Sequence, residues 1–312
     1  MRDFQSFLRL LGCLCLAANP AAGLTVGCNG DLDDDTVSDV RVEDGTENDD
    51  AESDAYWDDD VLDAAMDVHD EDVPPPPPPP PPGSLDCASI TGVLLCEDFE
   101  SGTIRSNIWT KDIKNGGAVD VSGAVVKQGA HALRVVLPTA TSAKGYIQVS
   151  NVFPVASNHI FGRVYFYIAP EVVGVHNEAF YIKGPLNYNG TQGDALYRLS
   201  SSGKSDNFGS RYNHPYIHEH GGLKKGSYPI GKNKWVCIEW EYDGPHNGMR
   251  YWFDGTEATT MTVTGHEDPV WKAPSFRTFS LGYQTVQQGE KPSTIYYDAL
   301  VLDTERIGCG AP

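Results

Sequence analysis

The sequence has little positive charge and no apolar run long enough to cross a membrane as a mature helix. It carries 23 Lys and Arg residues against 43 Asp and Glu residues, a formal net charge of −20. Twenty of the acidic residues lie between Asp31 and Asp72, where Arg41 is the single base. The sequence after Val73 is nearly neutral, and a nucleic-acid partner, which requires a basic face, is not indicated.

The apolar stretch near the N-terminus predicts an export signal. It runs from Phe4 to Ala18, starts next to Arg2, and leads into a small residue before a cysteine, Gly27-Cys28. We therefore predict a lipoprotein-type signal peptide over residues 1–27 and lipidation at Cys28. The alternative is ordinary signal cleavage and a secreted protein. An acylated N-terminus would contact a membrane only through its lipid chains.

The cysteine count agrees with export. Of seven cysteines, two would leave with the signal and Cys28 would carry the lipid, which leaves four. Four cysteines in an oxidising compartment predict two disulfides, with three possible pairings. We favour Cys87 with Cys96, which closes a short loop, and Cys237 with Cys309, which ties the end of the chain to an internal strand.

Residues 28–83 form a predicted linker with no core of its own. Asn29 to Val73 is rich in acidic residues and poor in large apolar ones, which is typical of disorder. Its Asp runs lack the fixed Gly and the closing Glu of an EF-hand, so a solvated spacer is the preferred interpretation. Pro74 to Pro82 predicts a stiff polyproline helix about 28 Å long at ~3.1 Å per residue.

The sequence of residues 84–312 predicts one all-β domain. Short apolar runs of β pattern alternate with Gly, Pro, Asn and Asp, and no amphipathic helix of any length is evident, which favours an antiparallel β-sandwich. The clearest hairpin joins a strand from Trp235 to Tyr242, through a turn at 243–248, to a partner ending at Asp254-Gly255. The other predicted strands include Ala132–Leu137, Gly162–Ile168, Ala179–Lys183 and Ser293–Leu302.

Several motifs of this domain, taken in order, resemble one known family. The motifs are Cys96-Glu-Asp-Phe-Glu-Ser-Gly102, Gln128-Gly129 before Leu133-Arg-Val135, Leu196-Tyr-Arg-Leu199, Tyr212-Asn213, the Trp235–Glu239 strand with Phe253-Asp-Gly255, and Tyr297-Asp298 with Arg306–Cys309. The domain resembles the fungal cellulose-induced secreted proteins and the related glucuronan lyases. That resemblance implies a concanavalin A-like jelly roll and a polysaccharide partner.

The resemblance also implies a structural calcium ion that ties the first and last strands together. Its ligands would fall on Glu100 and Asp298, and on Gln128 and His131 mainly through backbone carbonyls. Two carboxylates and a shell of carbonyl oxygens suit a hard cation.

Polyuronide cleavage by β-elimination is the reaction that the resemblance implies. The sugar carboxylate must be neutralised, a base must remove the C5 proton, and an acid must protonate the leaving O4. Arg198 is the candidate neutraliser because a guanidinium can bind a carboxylate through two hydrogen bonds. Tyr212 and either His214 or His218 are candidates for base and acid, and Gln148 for an auxiliary amide. A carbohydrate-binding surface protein without turnover is the alternative from a different class.

Two further interpretations carry less weight. His218 and His220, with Glu219 between them, could bind zinc, but a catalytic site needs a third ligand. Glu239 and Glu241 lie at i and i+2 on one strand face and could serve as the paired carboxylates of a glycoside hydrolase. On an exposed face, such a pair would more often be solvated.

Overall fold

In this computed structural model, the described residues are 87, 90–169, 176–202, 207–214, 223–268, 270–288 and 291–310. The predicted signal peptide at 1–27, Cys28 and the 28–83 linker lie outside them, as do His218, Glu219 and His220. No helix within the described ranges is long and apolar enough to span a membrane.

The β-patterned runs form two antiparallel sheets, and the described part of the chain contains no α-helix. The eight-stranded sheet has the order β13-β12-β11-β6-β15-β4-β3, with β1 paired to β15, and the seven-stranded sheet has the order β10-β9-β8-β7-β14-β5-β2. The strands are β1 Leu95–Glu97, β2 Thr110–Lys114, β3 Ala118–Ser122, β4 Ala132–Leu137, β5 Lys144–Val149, β6 His159–Ile168, β7 His176–Tyr188, β8 Thr191–Ser202, β9 Asn207–Asn213, β10 Leu223–Pro229, β11 Trp235–Asp243, β12 Gly248–Phe253, β13 Thr256–Glu257, β14 Thr278–Thr285 and β15 Ser293–Asp303; a short 3₁₀ turn, Thr259–Met261, lies between β13 and β14.

The core lies between the sheets because alternate side chains of each strand point inward. On β11, the inward set is Val236, Ile238, Trp240 and Tyr242, as the sequence predicts, and all four are buried. The Trp240 ring packs 4.3 Å from the ring of Phe180 on the facing sheet, between centroids. An all-β antiparallel sandwich is therefore confirmed.

Both predicted disulfides are present. Cys87 is bonded to Cys96, the middle residue of β1, and Cys237 on β11 is bonded to Cys309 near the end of the chain. Of the three possible pairings, the favoured one is confirmed, and it fixes both ends of the domain to the eight-stranded sheet.

Candidate functional site

A row of polar side chains crosses the outer face of the seven-stranded sheet. Strand register places one residue from each strand directly opposite the next. Since Tyr197 and Leu199 on β8 point into the core, Arg198 between them points outward. We call this set the polar row: Lys224, Arg211, Arg198, Tyr181, Ser280, Gln148 and Thr110.

Arg198 lies near the centre of the polar row and is already engaged. Its side chain is 7% exposed and forms an ion pair with Glu178 on β7, whose side chain is 13% exposed. Its second terminal nitrogen donates to Oδ1 of Asn213 at 2.6 Å. Arg211 stands opposite Arg198 on β9, where burial lowers the pKa of Arg211 and the charge of Arg198 lowers it further. Two guanidinium side chains, one of them paired with a carboxylate, therefore stand opposite each other on this face.

Tyr181 stands opposite Arg198 in the polar row, and its hydroxyl contacts Gln148 on β5. Gln148 donates to the Tyr181 hydroxyl at 3.2 Å and to Asp112 at 3.3 Å, and Lys144 pairs with Asp112 at 2.7 Å. Burial raises the pKa of Tyr181, which keeps its phenol protonated near neutral pH. Tyr181 therefore retains its hydroxyl proton near neutral pH and can act as a hydrogen-bond donor.

Arg198 and Gln148, both predicted from the sequence, lie on the same face and in the same row. Tyr212 and His214 do not join them. Tyr212 belongs to the core, donates from its hydroxyl to the Lys272 carbonyl at 2.5 Å, and burial raises its pKa above the normal range. His214 packs against the Tyr212 ring with 5.1 Å between centroids, and burial lowers its pKa.

The expected acid and base are thus turned away from Arg198. Tyr212 and His214 are two residues apart and therefore point to the same face, which is the inner one. His218 lies outside the described residues.

Sequence reasoning missed Tyr181 and Glu178. Tyr181 could have been found, because Asn189 and Gly190, both with positive φ, mark a two-residue hairpin turn between β7 and β8. Counting back from that turn places Tyr181 opposite Arg198. Glu178 could not be found this way, since the register shifts between Tyr181 and Glu178.

The residues of the expected calcium site meet at one loop. The Asp298 carboxylate accepts the backbone N–H groups of Lys127 and Gln128 through Oδ2, at 2.8 and 2.9 Å. The Glu100 carboxylate accepts those of Ala130 and His131, at 2.9 to 3.0 Å.

Gly129 allows the loop to pass this close to Glu100. Its φ is +63°, and a Cβ atom at this position would lie 2.3 Å from the Glu100 carboxylate. The loop therefore presents N–H groups to both carboxylates, although the resemblance implies backbone carbonyls of Gln128 and His131 as ligands.

Of the two carboxylates at this loop, Asp298 has the oxygen atom that could still accept a ligand. Its Oδ1 is buried and accepts no hydrogen bond within the described residues. Burial raises the pKa of Asp298 to about 6, backbone N–H groups of Gln128, Lys127 and Ala299 oppose the increase, and the charge of Glu100 adds to it. An orphaned oxygen beside a second carboxylate fits a cation ligand.

Glu239 and Glu241 are not the solvated pair that the sequence suggested. Glu239 is buried and forms two hydrogen bonds with Arg306, at 3.0 and 3.1 Å. Glu241 accepts from His159 at 2.9 Å and from Arg250 at 3.4 Å. Both carboxylates are therefore engaged, and they lie on the opposite outer face from the polar row.

Comparison with known proteins identifies the fold. No family model and no curated protein matches the sequence. A solved structure described as the cellulose induced protein Cip1 is similar, with a TM-score of 0.55 and 16% identity, covering 69% of this chain and 100% of that one. An endo-β-1,4-glucuronan lyase from the fungus Trichoderma reesei matches with a TM-score of 0.52 and 12% identity, covering 68% and 96%. At these identities, the similarity shows the fold alone, and the predicted jelly roll is confirmed.

Proposed function

We propose that the protein is an exported, lipid-anchored lyase that binds an acidic polysaccharide along the polar row and cleaves it by β-elimination at a uronic acid. The observation that carries the proposal is that Arg211, Arg198 and Tyr181 stand opposite one another in register on the outer face of one sheet. The two disulfides and the jelly-roll similarity to a glucuronan lyase support it.

Each group in the row has a separate role in this proposal. Arg198 and Arg211 attract the sugar carboxylate, which makes the C5 proton more acidic. Tyr181 then protonates the leaving O4. The sequence suggests Tyr212 as a candidate for this acid, but Tyr212 lies in the core. Gln148 orients the Tyr181 hydroxyl through the hydrogen bond at 3.2 Å. The base in this proposal is His218, one of the two histidines that the sequence offers for acid or base, since the other, His214, packs against the core residue Tyr212.

Replacing Tyr181 by phenylalanine is the sharpest test of the lyase. It removes one hydroxyl from a buried ring, and we expect kcat/KM on glucuronan or alginate to fall about 10²–10⁴-fold, the contribution of a positioned acid. The measurement is the ultraviolet absorbance of the unsaturated uronate product across neutral pH.

Arg134→Ala is the matched control for this substitution. It removes a partly exposed ion pair with Asp120 on the other sheet and should leave turnover unchanged. If Tyr181→Phe and Arg134→Ala turn over equally, Tyr181 is not the acid.

Arg198→Ala should also abolish turnover, but it is a less specific test. The substitution leaves Glu178 with a buried charge and no Arg198 partner, so we expect a lower Tm as well. Arg198→Lys, which retains the positive charge and loses the two-pronged geometry, separates these effects.

Binding without cleavage is the second candidate function. The observation that favours it is the prior engagement of Arg198 by Glu178 and Asn213. Retention on an immobilised polyuronide, with no absorbance rise from the wild-type protein, would establish this function in place of the lyase.

We further propose a structural calcium ion held by Glu100 and Asp298, with oxygen atoms of Gln128 and His131 completing the shell. The orphaned Oδ1 of Asp298 supports this site. The ion would supply charge neutralisation between the first and last strands and would take no part in the reaction.

Calcium removal should destabilise the domain. At a calcium concentration of about 100 times Kd, binding contributes about 2.7 kcal/mol, and its loss should lower Tm by roughly 5–10 °C in a domain of this size. Differential scanning fluorimetry with EDTA, then with added CaCl₂, measures the change. Asp298→Asn should abolish the response to CaCl₂, and a wild-type Tm indifferent to EDTA would disprove the site.

A further inference from the structure

A second group of metal-ligating side chains lies on the outer face of the eight-stranded sheet. His159, the first residue of β6, pairs in register with Asp243, the last residue of β11. Glu241 lies two residues before Asp243 and therefore points to the same face. One ligand atom from each of these three side chains lies within 4.8 Å of the others.

Neighbouring contacts orient these ligands. The Nε2 atom of His159 lies 2.9 Å from Oε1 of Glu241, and the His159 ring packs against Phe161 with 4.9 Å between centroids. Arg250 contacts the other oxygen of Glu241, Oε2, at 3.4 Å. Arg250 therefore holds the carboxylate in place and leaves Oε1 directed toward His159.

A fourth ligand is available from the turn between β11 and β12. The Nδ1 atom of His246 lies 2.7 Å from Oδ2 of Asp243, and the His246 backbone N–H donates to Oδ1 at 3.2 Å. The His246 side chain is 82% exposed, so its ring has room to reorient. The group thus offers two imidazole nitrogens and two carboxylate oxygens.

We propose that His159, Glu241, Asp243 and His246 bind one divalent transition-metal ion of the zinc class. Imidazole nitrogen with carboxylate oxygen suits zinc, whereas calcium and magnesium prefer oxygen ligands alone. Four protein ligands correspond to a closed structural site, which would fasten the β11–β12 turn to the beginning of β6.

Small adjustments would convert the observed group into a tetrahedral site. With zinc bonds of ~2.0–2.1 Å, neighbouring ligand atoms of a tetrahedron lie roughly 3.3 Å apart. The 2.9 Å contact between His159 and Glu241 would open by a few tenths of an ångström, the wider separations among His159, Glu241 and Asp243, up to 4.8 Å, would close, and His246 would have to turn toward the other three. Exposed His246 and the side-chain torsions of Asp243 can accommodate this change.

This site is independent of the proposed lyase. It lies on the opposite outer face of the sandwich from the polar row, and it uses residues that differ from the expected calcium ligands. Failure of the lyase or of the calcium site would leave the zinc proposal standing, and the reverse also holds.

Isothermal titration calorimetry with ZnCl₂, on the EDTA-stripped and dialysed full chain, tests the proposal. We expect one tight site per chain, with Kd at least about tenfold weaker in His159→Gln and in Asp243→Asn, since even outer-shell changes weaken metal binding about 10–100-fold. His176→Gln, on the other sheet, is the control and should bind as wild type. The acidic stretch Asp31–Asp72 is present in all four proteins, so weak binding there is a common background.

Two independent readouts complete the experiment. Zn²⁺ should raise the Tm of wild type and of His176→Gln more than that of His159→Gln or Asp243→Asn, whose metal-free melting shows that they fold. Co²⁺ in wild type should give the intense visible absorption of tetrahedral coordination. Equal zinc affinity in wild type and both ligand variants, or only the weak spectrum of six-coordinate Co²⁺, would overturn the proposal.

Discussion

Glu239→Ala is expected to destabilise the domain by about 3–5 kcal/mol, the usual consequence of breaking a buried ion pair from one side. The side chains of Glu239 and Arg306 are only 2% and 5% exposed, and two hydrogen bonds join them. Without Glu239, the buried guanidinium of Arg306 would lose its carboxylate.

A second buried guanidinium increases the expected effect. Arg163 pairs in register with Glu239 and is fully buried, and within the described residues none of its three side-chain nitrogens has a hydrogen-bond partner. Burial lowers the pKa of Arg163 to about 10, and the charge of Glu239 is among the influences that oppose this decrease. Arg306→Ala should therefore cost less than Glu239→Ala, because Glu239 would keep Arg163 nearby.

Guanidinium chloride unfolding under non-reducing conditions measures these differences, with an unchanged m-value showing that the denatured state is unaffected. Asp120→Ala is the matched control, since it breaks a pair whose side chains are 36% and 48% exposed. Such pairs contribute about 0–1 kcal/mol. If Glu239→Ala costs no more than Asp120→Ala, the buried pair does not stabilise this fold.

Removing the disulfide between Cys237 and Cys309 is expected to cost about 4 kcal/mol. The bond joins residues 72 positions apart, and constraining so long a loop in the unfolded chain carries a large loss of entropy. Converting both cysteines to serine should therefore lower Tm by roughly 8–16 °C in a domain of this size.

The disulfide between Cys87 and Cys96 provides the internal comparison. Its sequence separation is 9, for which the same entropy argument gives a cost of only about 2.5 kcal/mol. Thermal melting of the two double-serine variants beside wild type would measure the order of the effects. The reverse order would mean that strain or residual structure, and not loop length, governs the stabilisation.

Much of the fold could be predicted from the sequence because alternate residues of a β-strand point to opposite faces of the sheet. The inward set on β11 and the limits of β4, Ala132–Leu137, follow directly from apolar alternation and turn residues. Loop length favours the pairing of Cys87 with Cys96, and position at the chain end favours that of Cys237 with Cys309. Both bonds are present in the structure.

The candidate site was less accessible to sequence reasoning. Alternation indicates that Tyr212 and His214 share a face, but not whether that face is the core or the solvent side. Here the deciding contact is the hydrogen bond from Tyr212 to Lys272, a residue 60 positions away. Similarly, the ion pair of Glu178 with Arg198 depends on an irregularity in strand register that leaves no clear mark in the sequence.

The disulfide at the start of the domain also determines how mechanical load would enter it. A pull on the chain before Cys87 would pass through the bond to Cys96 and bypass the residues between them. The force would then act on β1, which is held along its length by β15. If the N-terminus is fixed and the polar row binds a polymer, tension between the two points would be borne by these paired strands.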